Sequence, residues 1–276
     1  DIVYDGTSGA FNNRGELVLM MKHFEEDFQI FDTKAAGEPG TIPSTYNDRT
    51  RMVYQAARCG LRDFFVKNGY KKACIGLSGG IDSAVVACLA ADALGRQNIR
   101  ALLLPSQFSS DHSVEDAKKL AENLGIEYNV IPITEIYTSV VNTLKPVIGG
   151  REFDATEENI QTRIRTVLLM AVQNKADYIL LNSSNKSENA LGLCTLYGDT
   201  AGAFAPLGGL YKTDVYEVGR WRNEQARSAG DVEPIPENVF VKPPSAELAP
   251  GQKDEASMGI DYETLDKLLI AVQEQG

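Results

Sequence analysis

Histidine is nearly missing from this chain. His23 and His112 are its only two in 276 residues and lie far apart, so a histidine-rich metal centre or a Ser-His-Asp triad has no supply of imidazoles. Cysteine is sparse as well. Cys59, Cys74, Cys88 and Cys194 form no C-x-x-C pair, and they are expected to be free thiols of a reducing compartment, used neither for disulfides nor for metal. Positive charge is in deficit, with 27 Lys and Arg against 38 Asp and Glu for a net −11. That excludes a general affinity for nucleic acid or anionic membrane, because counterion-release binding needs a basic face, although it leaves room for a small basic pocket. The sequence has no apolar run of about 18 residues and no basic-then-apolar N-terminus. The expectation is a cytoplasmic protein with no membrane or nucleic-acid partner. Internal repeats and low-complexity tracts are also missing.

What is present is enough for a core: 43% of residues are hydrophobic, which suits one large or two modest domains. Residues 1–33 alternate in strand fashion about a turn at Asn12-Asn13-Arg14-Gly15. Residues 34–50, rich in Gly, Pro, Ser and Thr, read as a linker. From Arg51 a helix is expected, with Met52, Ala56, Leu61 and Phe64/Phe65 near one face and Asn68-Gly69 closing it.

Strands expected at 73–77, 99–104, 128–133 and 178–181 then alternate with helices at 83–94, 113–124 and 156–175. The first of these helices is apolar nearly all round. The second turns Val114, Ala117, Leu120, Ala121 and Leu124 inward. The third opens on a Thr-x-x-Glu capping pattern displaced by at most a residue and turns Ile160, Ile164, Val167, Leu168 and Ala171 inward. Such alternation predicts a doubly wound, mostly parallel α/β sheet flanked by helices. Ligands in these sheets sit at the carboxyl ends of the strands, which directs attention to the loops after Leu77, Leu104, Ile133 and Leu181.

The first of those loops is Gly76-Leu77-Ser78-Gly79-Gly80-Ile81-Asp82-Ser83. A bare Ser-Gly-Gly is most simply a tight turn. Between a strand and a helix, however, the whole string places unpaired N–H groups and a helix dipole where an anion binds. It lacks the Gly-Lys-Ser/Thr ending of a γ-phosphate-transferring loop, and the chain has no G-x-G-x-x-G. Asp82 would repel a polyphosphate unless a divalent cation bridges the two, so the loop implies Mg²⁺ and a pyrophosphate group. This string resembles the signature of the PP-loop ATP pyrophosphatases, enzymes that cleave ATP between its α- and β-phosphates. The resemblance implies an adenine nucleotide alpha hydrolase-like fold.

Further strings narrow the likeness: LPSQFSS at 104–110, ENIQTRIR at 158–165, NSSNKSE at 182–188, LYGDTAGAF at 196–204, YKTDVY at 211–216 and KPPSAEL at 242–248. In that order they are similar to NAD synthetases, specifically to the synthetase part of the glutamine-dependent form, over about residues 51–270. Residues 1–33 are similar to the last strands of that form's nitrilase-like glutaminase domain. The resemblance therefore implies three parts: a glutaminase remnant at 1–33, a linker at 34–50 and a synthetase domain at 51–276.

It also implies a reaction, in which deamido-NAD is adenylated by ATP and the adenylate is then displaced by ammonia. By the same resemblance, residues 76–83, Ser183, Lys212 and Ser245 contact ATP; Asn159, Arg163 and Glu188 contact deamido-NAD; Asp82 and Glu188 hold Mg²⁺; and Asp82 with Lys212 carries the catalysis. Residue types agree independently. Asn159 and Arg163 are four apart on one helical face and can address one ligand together, although a solvated face is the commoner use of such a pair. Lys212 opens a helix running to Trp221, where a cation opposes the dipole and hints at a ligand-facing role.

Two departures from the family stand out. No cysteine has the context of a Glu-Lys-Cys glutaminase set, and the chain ends before a basic segment that adds a lysine to the deamido-NAD site in relatives. Leu196 and Ala203 also stand near places where ammonia-only relatives carry lysine and aspartate. The chain is thus expected to use free ammonia and not glutamine, within a homodimer or larger homo-oligomer. Another PP-loop amidotransferase and a nucleotide-binding module without turnover are the competing readings.

Overall fold

The computed structural model describes residues 2–32 and 48–274. Strand β3 (Ala73–Gly76) forms where four small or apolar residues run between Gly69 and the glycine turn, and three of its four residues are buried. It pairs in parallel with β4 (Ile99–Leu103) on one side and β6 (Ile179–Leu180) on the other, and β5 (Glu127–Val130) adds in parallel outside β4. The strand order is β5-β4-β3-β6. The chain therefore steps outward twice from β3 and then returns to β3's other side. That reversal leaves a crevice between the carboxyl ends of β3 and β6, the usual ligand position in an open α/β sheet.

Helices cover both faces. On one face lie α1 (Arg49–Asn68), α2 (Ile81–Leu94), α3 (Asp111–Leu124) and α7 (Lys212–Ala229), sharing a core with Ile75, Ile99 and Leu103. Nine of the fourteen residues of α2 are buried; Ala84, Ala87 and Ala90 let it lie close to its neighbours, and Val85, Val86 and Leu89 each contribute about 1.5–3 kcal/mol of burial. Asp92 ties three of these helices together: it accepts from Tyr54 Oη at 2.6 Å and from Arg222 Nε and Nη2 at 2.7 and 3.1 Å. On the other face, α4 (Thr134–Ile148) and α5 (Ala155–Ala176) pack Tyr137 and Ile164 against Cys74, Leu102 and Leu180. The chain continues through α6 (Lys186–Leu191), α8 (Glu237–Val241), α9 (Asp254–Met258) and α10 (Tyr262–Gln273). Among the described residues no helix is long and apolar enough to cross a membrane.

Strands β1 (Gly9–Phe11) and β2 (Leu17–Met20) form the expected antiparallel hairpin about Asn12 to Gly15. Its continuation docks on α1, where Phe24 is buried and its carbonyl accepts from Cys59 Sγ at 3.9 Å. The linker expected at 34–50 falls mostly outside the described residues. Cys59, Cys74 and Cys88 are buried free thiols and Cys194 is half-buried; burial pushes Cys74 and Cys88 up to about 12.

Several helix expectations need correction. In α1 the buried side chains are Tyr54, Cys59, Leu61 and Phe65, while Met52 and Ala56 are only half-buried. In α5 Val167 is 67% exposed and Ala171 is exposed, whereas the polar Gln161 and Thr162 are buried. The helix turns its polar stripe inward because that stripe supports loops of the site: Gln161 Nε2 donates to Leu248 O and Thr166 Oγ1 to Gly198 O. Its cap is Asp154, boxed with Glu157, rather than Thr156. Helix α7 runs eight residues past Trp221 to Ala229.

Candidate active site

The glycine turn bridges β3 and α2. Ser78 and Ser83 brace it: Ser78 Oγ accepts from Gly80 N at 3.1 Å and meets Ser83 Oγ at 3.1 Å, while Ser83 Oγ donates to Gly80 O at 3.1 Å. Gly79 has φ +83°, and the Ser113 carbonyl of α3 passes over it so closely that a Cβ would lie 2.2 Å from the oxygen. At Gly80, the N-cap of α2, no side chain closes the helix. The first N–H groups of α2 are therefore left to an external acceptor.

Asp82 enters from the first turn of α2, and the two other charged members of the site come from more than a hundred residues away. Lys212, first residue of α7, is 3% exposed. Its Nζ lies 2.5 Å from Asp82 Oδ2 and 3.1 Å from Glu188 Oε1. Asn185, the N-cap of α6, completes the cluster by donating Nδ2 to Asp82 Oδ1 at 2.8 Å. Burial works against the Lys212 charge, but Asp82 and Glu188 outweigh it and hold the amine well above the ordinary lysine value. Burial, then repulsion from Asp82, pushes Glu188 up from 4.5 to about 7 against the pull of Lys212.

Glu188 therefore binds its proton more tightly folded than unfolded, so the native state loses stability as pH rises from about 4.5 to about 7 and recovers none above. Glu188→Gln is expected to melt higher than the parent at pH 8 in EDTA, by on the order of 2 kcal/mol. The gap should close below pH 5, near the unfolded carboxyl value. Equal melting curves at pH 8 would contradict this.

The remaining sequence-predicted residues divide into two groups. Ser183 lies in the loop after β6, half-buried, two residues before Asn185. Ser245 is engaged within its own loop, donating Oγ to Gln252 O at 2.7 Å and accepting from Glu247 N at 3.1 Å. Two residues on, Glu247 binds the Ser110 and Ser113 hydroxyls, which brings that loop to the α3 residue lying over Gly79. Asn159 and Arg163 do act together, on a protein loop: Asn159 Oδ1 accepts from Thr195 Oγ1 at 2.6 Å and Arg163 Nε donates to Leu196 O at 3.2 Å. Neither hydrogen-bonds to Asp82, Lys212 or Glu188, and both shape the loop where Leu196 and Tyr197 are exposed.

Sequence reasoning missed Asn185, although the string NSSNKSE contains it; an Asn three residues before a Glu is a capping signal. It also missed Asp266 of α10, which accepts from Ser187 Oγ and Thr213 N and so fixes the starts of α6 and α7. No local pattern announces that role.

Asp82 and Glu188 offer hard oxygen donors, and Mg²⁺ is commonly held by one or two carboxylates plus substrate phosphates. The donor set fits on those terms. Among the described residues no group of three or more His, Cys, Asp or Glu could hold a metal by itself.

A glycine turn at the switch point of a parallel sheet flanked by helices places the chain in the PP-loop class of α/β proteins. Residues 53–276 match the NAD synthase family model, and the chain belongs to that family. It is 51% identical to the glutamine-dependent NAD(+) synthetase of Thermotoga maritima over an alignment covering 100% of this chain and 53% of that protein. It is similar in structure to the glutamine-dependent NAD+ synthetase of Acinetobacter baumannii in complex with ADP, with TM-score 0.81, 35% identity and coverage of 99% and 53%. The NMN synthetase of Francisella tularensis also superposes, with TM-score 0.71, 32% identity and coverage of 80% and 85%. The chain thus spans about half the length of the glutamine-dependent relatives it matches.

Proposed function

We propose that the chain catalyses ATP-dependent amidation of deamido-NAD to NAD, with ammonia as nitrogen donor and AMP and pyrophosphate as products. The observation that carries the reading is the meeting of Asp82, Lys212 and Glu188 beside the uncapped start of α2. A nicotinate carboxylate oxygen attacks the α-phosphorus, the bond to the bridging oxygen of the β-phosphate breaks and pyrophosphate leaves. Ammonia then adds to the acyl carbon, the carbon–oxygen bond to AMP breaks and a proton passes to solvent.

For these steps the chain supplies position and charge; no residue needs to be a nucleophile or base. The turn from Gly76 to Ser83 cradles phosphate with its N–H groups, and Lys212 offsets charge on the departing pyrophosphate. Ser183 and Ser245 lie on loops flanking the nucleotide, while Asn159 and Arg163 hold the 195–196 loop that forms a wall for deamido-NAD. Asp82 and Glu188 are the residues that would hold Mg²⁺, which when bound neutralises phosphate charge. Residues 1–33 we assign to the end of a glutaminase domain, 34–50 to a linker and 51–276 to the synthetase domain, in a cytoplasmic homo-oligomer.

The test is release of AMP and pyrophosphate from ATP, Mg²⁺, ammonium and deamido-NAD, with the deamido mononucleotide as a parallel substrate because one solved relative is an NMN synthetase. ATP binding without dinucleotide-dependent AMP would sink the reading in favour of an inert module. Asp82→Asn should lower turnover by at least about a hundredfold while the protein still melts cooperatively. Unchanged activity of that variant at low Mg²⁺ would remove the role given to Asp82.

A further inference from the structure

Tyr262 is the first residue of α10, and the scheme above leaves it unused. It is 5% exposed, and its hydroxyl has no hydrogen-bond partner among the described residues. Leaving a buried hydroxyl unpaired is unfavourable by an amount that native proteins rarely leave uncompensated.

Its surroundings are those of the active site. Lys212 Nζ stands over the Tyr262 ring, 5.2 Å from the centroid, an arrangement in which the aromatic face favours the cation. The first turns of α10 are fastened at two points. Tyr262 N donates to Glu255 Oε1 at 3.1 Å, and further along α10 Asp266 accepts from Ser187 Oγ at 2.5 Å and Thr213 N at 2.9 Å. Ser187 Oγ in turn accepts from Lys212 N at 2.9 Å. Helix α10 is thereby fastened to the first turns of α6 and α7, the turns that carry Glu188 and Lys212.

The acids near the hydroxyl are committed elsewhere. Asp82 serves Lys212 and Asn185, Glu188 serves Lys212, and Asp254 accepts from Ala246 N. Burial, opposed by Lys212, holds the phenol proton on well above the ordinary tyrosine value, so the group is a neutral donor.

We propose that the Tyr262 hydroxyl is a substrate contact of this site, donating its hydrogen bond to a phosphate oxygen of the nucleotide held beside Asp82, Glu188 and Lys212. The assignment rests on the nucleotide reading above. A phosphate oxygen is the acceptor chemistry that suits it: anionic, and drawn to the same place by Lys212.

The test is Tyr262→Phe in the full chain, which keeps the ring over Lys212 and removes only the hydroxyl. Calorimetric titration with Mg·ATP and with Mg·pyrophosphate should show about tenfold weaker binding of both. Without ligand, the variant should melt at the same temperature as the parent or higher, because an unpaired group has been removed. Unchanged affinities overturn the proposal. A clearly lowered melting temperature without ligand also overturns it, since the hydroxyl would then have a partner within the protein. If the parent chain binds neither ligand, the nucleotide reading fails and this assignment fails with it, an outcome distinct from a failure confined to the variant comparison.

Discussion

Lys212→Met is expected to abolish turnover and to destabilise the protein at neutral pH, the largest combined effect of any single substitution in the site. The lysine side chain is 4% exposed and is the shared cation of Asp82 and Glu188, whose side chains are 17% and 20% exposed. Without it, two sheltered carboxylates face each other with only Asn185 as a neutral donor. Removing one partner from a buried ionic group costs about 3–5 kcal/mol, because charge is left uncompensated. Protonation relieves that strain, so the deficit should shrink when melting is measured at pH 5 instead of pH 8. Adding Glu188→Gln to Lys212→Met should recover part of the lost stability, since the repulsion between Asp82 and Glu188 is then removed. None of this stability rescue should return catalysis. Loss of positive charge at the departing pyrophosphate should lower AMP release by about a thousandfold. A Lys212→Met protein that melts with the parent at pH 8, or keeps a tenth of its activity, would contradict the arrangement.

Gly79→Ala is the second large effect, and its cause is steric. Gly79 holds φ +83°, a conformation that a Cβ disfavours, and the Ser113 carbonyl would stand 2.2 Å from the added atom. Backbone on one side or the other must move. The moving parts are the phosphate turn itself or the start of α3, whose Ser110 and Ser113 hydroxyls are fixed by Glu247. The combined backbone and contact strain should cost about 3 kcal/mol or more, with ATP affinity falling alongside. Chemical denaturation gives the first quantity and calorimetric titration the second. A stability loss below about 1 kcal/mol would mean that α3 does not press on the turn.

Much of the scaffold was legible in the order of residues. Small and β-branched runs at Ala73 to Gly76 and Ile99 to Leu103, punctuated by glycine and proline, mark buried parallel strands because such strands need apolar residues on both faces. The all-round apolar helix after the glycine turn was equally plain. Helix α5 was harder. Periodicity suggested that Val167 and Ala171 face the core, yet the helix buries Gln161, whose partner Leu248 O lies in a loop distant in sequence, and Thr162, which donates back to Asn159 O within the helix. Helices α4, α6, α8, α9 and α10 were not anticipated from the residue pattern.

The site was legible as a set of residues and illegible as a geometry. Asp82, Glu188 and Lys212 stand out as charges at strand-to-helix turns or helix starts. Lys212 reads from the sequence as a ligand-facing cation opposing its helix dipole; in the fold it is the shared partner of both acids. Asn159 and Arg163 read as a pair addressing a ligand; in the fold they grip Thr195 and Leu196.

The sequence by itself determined the alternation of strands and helices, the phosphate turn and the family, because each depends on residues within one element or on strings of fixed order. The tertiary structure alone decided which charges meet. Lys212 reaches Asp82 across 130 positions only because the strand order β5-β4-β3-β6 returns the chain to the far side of β3. Pairing energy in a buried site depends on distances of a few ångströms between groups, and no local pattern records them.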